Sequence, residues 1–257
     1  MLFDVFILSV IEGVTEFLPV SSTGHLILMS HWLNMDKAFY EVFDIAIQLG
    51  AICAVFFLYP TYFKERLTQF FSKETWVIAV SILPILVVGY ALKDVIKVYL
   101  FNPEVIFWGL IVGGVGLILL ERKYPNLENQ DQKSSVTFRQ AIIIGMFQCL
   151  ALWPGMSRSA MTIMGAMVSG LNRVTSAAFS FVIAVPVMVI IVGYDLISSR
   201  TSLSLIEYAW IGCGMLISFI IAWITMRWFL SIIQKQGLLM FGIYRIILGT
   251  VGLLWLI

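Results

Sequence analysis

The sequence predicts an all-α integral membrane protein with an inverted-topology repeat, each half a re-entrant helix hairpin plus three transmembrane helices. Composition is the first reason. Of 257 residues 60% are hydrophobic and only 12% charged, with a mean hydropathy of +0.97, values outside the range of soluble domains. The second is a pair of apolar regions, 1–33 and 139–170, each interrupted by a stretch rich in Pro, Gly and Ser. The third is a likeness between the halves. Gly13, Glu16 and Leu18 correspond to Gly145, Gln148 and Leu150 at an offset of 132, while Phe43 matches Phe179 and "VGLILL" (115–120) matches "VGLLWL" (251–256) at 136. One hairpin and three spans make an odd number of crossings, so the second copy is inverted.

The elements follow in order. Region 1–33 holds a helix-length apolar piece, a break at Pro19 and a second short apolar piece. Apolar segments of about 10–14 residues are more often re-entrant or buried than spanning. Asp4 and the absence of a basic start argue against a signal peptide. Stretches of the roughly 17–25 residues that a bilayer needs run near 42–60, 76–93 and 104–120, completing a first repeat over 1–120. The polar stretch 121–138 is a linker. The second repeat, 139–257, has the broken region 139–170 and spans near 176–197, 206–226 and 238–257.

This topology gathers Lys64, Arg66, Lys73, Arg122, Lys123, Lys133, Arg139, Arg173, Arg227 and Lys235 on one side, and leaves Lys37, Lys93, Lys97 and Arg200 on the other. The positive-inside rule makes the first side cytoplasmic. Both termini and the mouth of the first hairpin then face the periplasm. Cys53, Cys149 and Cys213 lie in apolar segments without metal-ligand spacing and read as packing residues. A net charge of +1 without a Lys/Arg cluster excludes a nucleic-acid partner.

Polarity at membrane depth is tolerated where protein buries it or a water-filled cavity is present. Inverted repeats place their breaks face to face near the midplane. The first break reads "EGVTEFLPVSSTGH" (12–25). Glu12 and Glu16 are four apart and share a helix face. Two such carboxylates share a proton or bind a cation, unless the helix simply ends in a wet interface. Pro19 stops the helix; Ser21, Ser22, Thr23 and Gly24 then offer hydroxyls and N–H groups at the start of the next, where anions bind. His25 follows, either a proton donor or acceptor near neutral pH or a hydrogen-bonded core residue.

The second break reads "WPGMSRSAMT" (153–162), and Arg158 is the only charged residue between Arg139 and Arg173. It needs an anionic partner. Flanked by Ser157 and Ser159, it suits phosphate oxygens, or it pairs with Glu12 or Glu16 as a structural ion pair that brings the hairpins together. Carboxylates and hydroxyls on one hairpin, with Arg and hydroxyls on the other, suit phosphoryl transfer on a lipid phosphate.

These two motifs, with "FDIAIQLGAI" (43–52), "FSFVIAVPVM" (179–188) and "FGIYRIILG" (241–249), resemble the bacterial undecaprenyl-diphosphatase family, also known through bacitracin resistance. The resemblance runs nearly the whole chain. It implies an inner-membrane enzyme that hydrolyses undecaprenyl diphosphate to undecaprenyl phosphate and inorganic phosphate, recycling the lipid carrier for wall polymers, on an inverted repeat with two re-entrant hairpins. By motif position Glu12 and Glu16 match the acidic pair, Ser22 the nucleophile or hydroxyl ligand, His25 the motif histidine, and Ser157 and Arg158 the serine-arginine pair. Arg245 matches an arginine held to face the same cavity. Two departures stand out: Ala160 replaces a usual glycine, and Ala178 stands where many members have a glutamate.

The expected chemistry has Arg158, Ser157, Ser159 and hairpin N–H groups stabilising charge on the terminal phosphoryl group, with Ser21, Thr23 and Arg245 as further phosphate contacts. Glu16 activates Ser22 or a water, and His25 relays the proton. A divalent cation, Mg or Ca, is expected between Glu12 and Glu16. The bilayer and the lipid diphosphate are the expected partners, and a homodimer is compatible with this reading. A rival from another class is a polyprenyl-phosphate transporter (flippase), which would share the broken helices but has no evident use for a serine and paired carboxylates beside an arginine.

Overall fold

The computed structural model describes residues 2–33, 35–69, 71–125, 135–198 and 203–256. Lys133, Arg200 and half of the expected linker, 126–134, lie outside the described residues. Within them are eleven α-helices: α1 (Leu2–Thr15), α2 (Ser22–Ser30), α3 (Lys37–Leu58), α4 (Pro60–Thr68), α5 (Lys73–Val95), α6 (Pro103–Lys123), α7 (Phe138–Cys149), α8 (Arg158–Val168), α9 (Arg173–Ser198), α10 (Leu205–Gln236) and α11 (Leu239–Leu256). Five of them, α3, α5, α6, α9 and α10, are long and apolar enough to cross a membrane. The sixth expected span is α11, whose 18 residues extend about 27 Å at 1.5 Å per residue, close to the ~30 Å hydrocarbon core. The chain is therefore an all-α, multi-pass membrane protein.

Local chemistry sets most helix ends. Asp36 accepts the N–H groups of Ala38 and Phe39 at the start of α3, both at 3.0 Å. Asn102 caps α6, with Pro103 as its first residue. Thr137 with Gln140 and Ser204 with Glu207 form reciprocal capping boxes on α7 and α10. Helix α10 runs past the expected end at 226 because nothing stops it until Gly237, at φ 66°. Helix α4 was not expected; Pro60 starts it directly after α3, and Arg66 ties its end to Ser72 and Glu74 at 2.8 and 2.9 Å.

Helices α1, α2, α7 and α8 have 14, 9, 12 and 11 residues, about 14 to 21 Å each, so none crosses the bilayer alone. They are wedged between longer helices by close backbone contact. Ser9 lies against Gly214, and Gly13 against the Ser218 carbonyl, so α1 and α10 run in the same direction. Likewise Gly145 meets the Ser81 carbonyl and Leu152, in the turn that continues α7, meets Gly89, so α7 and α5 run in the same direction. A Cβ added at Gly13 or Gly145 would stand 2.7 Å from that carbonyl oxygen, hence the small residue at both crossings. Helices α6 and α11 pair antiparallel, Gly114 against Gly242 and Phe107 against Gly249.

The largest apolar cluster fills the space around the two breaks and includes Phe17, Leu18, Met156, Ala160, Phe181 and Phe229. At the end of the bundle where α6 finishes, the buried Arg173 pairs with Glu121, which also accepts the Leu238 N–H at 3.1 Å. One carboxylate thus joins α6, α9 and the turn that leads into α11.

Candidate active site

The first break begins where Pro19 ends the α1 path and closes where Ser21 starts α2. Ser21 sits at φ 69°, ψ 99°, and its Oγ accepts the Gly24 N–H at 3.5 Å. The second break repeats the device: Ser157 at φ 69°, ψ 116° starts α8 and its Oγ accepts the Ala160 N–H at 3.3 Å. These two serines are the only described non-glycine residues with positive φ. Such backbone costs about 1–3 kcal/mol and persists only where the surroundings over-determine it.

Here several contacts do so. Ser159 Oγ donates to the Leu18 carbonyl of the opposite break at 2.7 Å and lies 3.0 Å from Ser157 Oγ. Trp153 Nε1–H reaches the Val105 carbonyl at 2.9 Å. Arg245 is fully buried between the breaks. Its Nη1–H donates to the Pro19 carbonyl at 3.1 Å, Nη2–H to Gly155 at 2.9 Å and Gly109 at 3.3 Å, and Nε–H to Leu110 at 3.3 Å. One guanidinium therefore satisfies main-chain carbonyls from both breaks and from α6. It does not line the cavity that the breaks enclose.

That cavity has a volume of about 140 Å³ and is lined by Glu16, Ser21, Ser22 and Thr23 from the first break, Pro154, Gly155, Ser157 and Arg158 from the second, and Gln48, Ala151 and Met188. At roughly 30 Å³ per water it holds four or five waters, or a phosphoryl group. Across it Arg158 Nη2–H donates to Glu16 Oε1 at 2.8 Å. Ser22 Oγ–H donates to Glu16 Oε2 at 2.7 Å. Arg158 Nη1–H donates to the Ser180 carbonyl at 3.2 Å, and its Nε–H has no partner among the described residues. Desolvating such an ion pair is costly; extra hydrogen bonds to both partners offset that cost, and one donor of Arg158 is left over.

The structure thus brings together Glu16, Ser21, Ser22, Thr23, Ser157 and Arg158, and sets the other expected residues apart. Glu12 is fully buried one turn before Glu16, outside the cavity lining, and neither carboxylate oxygen has a partner among the described residues. Ser159 is spent on the opposite break, and His25 turns to Ser21 and Tyr244. Among the described residues no group of three or more His, Cys, Asp or Glu is placed to hold a metal ion.

Three contributors were not anticipated. Gln48 lines the cavity from α3 and reaches Asp44 Oδ2 at 3.5 Å. A glutamine four residues from an aspartate in an apolar helix, "FDIAIQLGAI", was the available signal. Ser180 supports Arg158 through its carbonyl, and Tyr244 holds His25; neither carries a signal in the sequence.

Residues 5–251 match the sequence model of the family described as Bacitracin resistance protein BacA. Similar chains include the undecaprenyl-diphosphatase of Clostridium tetani (strain Massachusetts / E88), 41% identical over 254 residues that cover 96% of this chain and 94% of the relative. That of Wolinella succinogenes is 42% identical over 258 residues, 99% of this chain and 98% of the relative. Undecaprenyl-diphosphatase 1 of Bacillus anthracis is 40% identical over 255 residues, 95% and 94%.

Proposed function

The chain belongs to the bacitracin resistance protein BacA family, and on that premise we propose that it is a membrane phosphatase hydrolysing undecaprenyl diphosphate to undecaprenyl phosphate and inorganic phosphate. The observation that carries this reading is the Ser22–Glu16–Arg158 constellation at the cavity, a hydroxyl, a base and a cation from opposite breaks within 2.8 Å of one another in turn. A reversible lipid carrier has no use for a serine hydrogen-bonded to a carboxylate, so the geometry favours hydrolysis over flipping.

In the proposed mechanism the terminal phosphoryl group enters the cavity and the prenyl chain, far too large for it, lies outside between helices. The Arg158 guanidinium, with the Ser157 and Thr23 hydroxyls, meets the phosphoryl oxygens from the cavity lining, stabilising charge where it develops. Ser22 Oγ attacks the terminal phosphorus while Glu16 Oε2 takes its proton. The bond to the bridging oxygen breaks, undecaprenyl phosphate leaves, and water hydrolyses the phosphoserine; alternatively Glu16 takes the proton from a water that attacks directly. Ser21 and Arg245 serve by holding the phosphate loops in shape. A divalent cation, Mg or Ca, is part of the proposal: Glu12, whose oxygens have no partner among the described residues, and Glu16 would hold it, and when bound it would supply positive charge against the diphosphate.

The finer architecture is proposed with the function. Two halves, 1–120 and 139–257 around a linker, form an inverted repeat of re-entrant hairpins. In support, the paired serines at φ 69° and the matching glycine crossings of α1 on α10 and α7 on α5 recur in both halves. Charge distribution supports a periplasmic mouth and termini, and a homodimer is compatible with the exposed apolar helix faces.

The test is phosphate release from undecaprenyl diphosphate by the purified protein in detergent, with and without chelator. Glu16→Gln and Arg158→Ala are both expected to abolish turnover in a folded protein. Release by either variant at the wild-type rate would overturn the site. Lipid binding without release by the wild type would overturn the hydrolytic reading.

A further inference from the structure

His25 stands one turn into α2 with both ring nitrogens engaged. Nδ1 is 2.7 Å from the Ser21 carbonyl oxygen, and Nε2 is 2.7 Å from the Tyr244 hydroxyl on α11. A carbonyl can only accept, so Nδ1 carries a hydrogen; in the neutral ring Nε2 then accepts and the tyrosine donates. The two rings also stack, with centroids 5.6 Å apart and planes 13° from parallel.

We propose that Tyr244 is a positioning residue for hydrolysis, acting through His25 to hold the first break in its working shape; the proposal rests on the phosphatase reading above. The comparison with the second break carries it. There the carbonyl of the strained serine, Ser157, accepts the main-chain N–H of Met161 at 3.0 Å. Met161 lies four residues beyond its serine, as His25 does beyond Ser21. At the first break the imidazole side chain binds the corresponding carbonyl, and that side chain is tethered to another helix. The Ser21 carbonyl and the Ser22 N–H belong to one planar peptide. Fixing the carbonyl therefore fixes the entry to Ser22, whose hydroxyl must keep its 2.7 Å bond to Glu16. With both nitrogens occupied, His25 is an anchor rather than a proton relay: the Ser21 carbonyl sets its tautomer and the Tyr244 hydroxyl holds the ring in place.

The test is Tyr244→Phe, which keeps the stacked ring and removes only the hydroxyl. In a His31→Gln background His25 is the sole histidine, so ¹⁵N spectra of histidine-labelled protein read it alone, at a pH above the ordinary histidine range. Both proteins are expected to show the Nδ1–H tautomer that the Ser21 carbonyl imposes, and the variant's Nε2 signal is expected to move to that of an imidazole nitrogen with no donor. The variant's kcat is expected to fall about three- to tenfold, the worth of one hydrogen bond, with KM and the melting temperature little changed. A variant with wild-type kcat overturns the proposal, and so does one whose kcat falls while the nitrogen spectrum stays that of the wild type. If the wild type itself releases no phosphate, the phosphatase reading fails; the tether is then upheld or overturned by the difference between the Nε2 signals of wild type and variant alone.

Discussion

Gly113→Ala tests whether Arg245 braces the two breaks. Gly113 lies on α6 directly beneath the guanidinium, and an added methyl would overlap Arg245 Nη2. The end of an arginine is ordinarily free to move aside, but this one is fully buried and held by four carbonyls. The α6 backbone has no room to retreat either, since neighbouring Gly114 is already packed on Gly242 of α11. Nη2 must leave, and its bonds to Gly109 and Gly155 go with it. Hydrogen bonds from a charged group contribute about 1.5–3 kcal/mol each, so the loss is about 3–6 kcal/mol. At roughly 2–4 °C per kcal/mol for a chain of this size, the melting temperature in detergent should fall by about 6–24 °C. The freed Gly155 should also lower kcat at least about tenfold at temperatures where the variant is folded. Gly116→Ala, three residues on, meets only the flexible tip of Met164 and should cost less than about 1 kcal/mol. If both variants melt and turn over alike, the guanidinium is mobile and does not brace the breaks.

Other outcomes follow from the same contacts. Ser157→Ala should destabilise by about 1–2 kcal/mol and Ser157→Gly by less, because glycine accepts φ 69° without strain while both lose the cap; equal melting temperatures for the two would refute the strain. Glu121→Gln breaks a buried pair at the junction of α6, α9 and the turn that leads into α11 and should cost about 3–5 kcal/mol in chemical unfolding, while kcat at low temperature stays within about twofold of the wild type. Gln48→Ala should raise KM for the lipid diphosphate several-fold with a smaller change in kcat, read by steady-state phosphate release; an unchanged KM would remove Gln48 from substrate binding.

Much of this was legible in the chain. Apolar runs separated by capping residues mark the spans, because bilayer thickness dictates their length. Pro19 and Gly155 mark the breaks. Arg158, isolated in an apolar stretch, requires an anion, and Glu16 was one of two named partners. The two glutamates four residues apart could not be assigned separate roles in advance: both face the same way, yet one reaches the cavity and the other is sealed behind it. Arg245 was expected at the phosphate, and a lone buried arginine in a sequence looks the same whether its donors meet an anion or main-chain carbonyls. Tyr244 and Ser180 act across 219 and 22 residues of chain respectively, through atoms whose meeting depends on tertiary packing.

The four bonds of Arg245 all end on peptide oxygens, which every amino acid possesses. Amino-acid changes at Pro19 or Leu110 therefore leave the recognised atom in place, provided the main chain keeps its course. An anchor of this kind lets the surrounding sequence drift over evolutionary time while the distance between the two loops is preserved. It makes the arginine itself, and the glycine that leaves room for it, the positions at which drift is arrested. A mutational scan of the region should therefore show a tolerant ring of residues around two intolerant ones, although the ring makes most of the contacts.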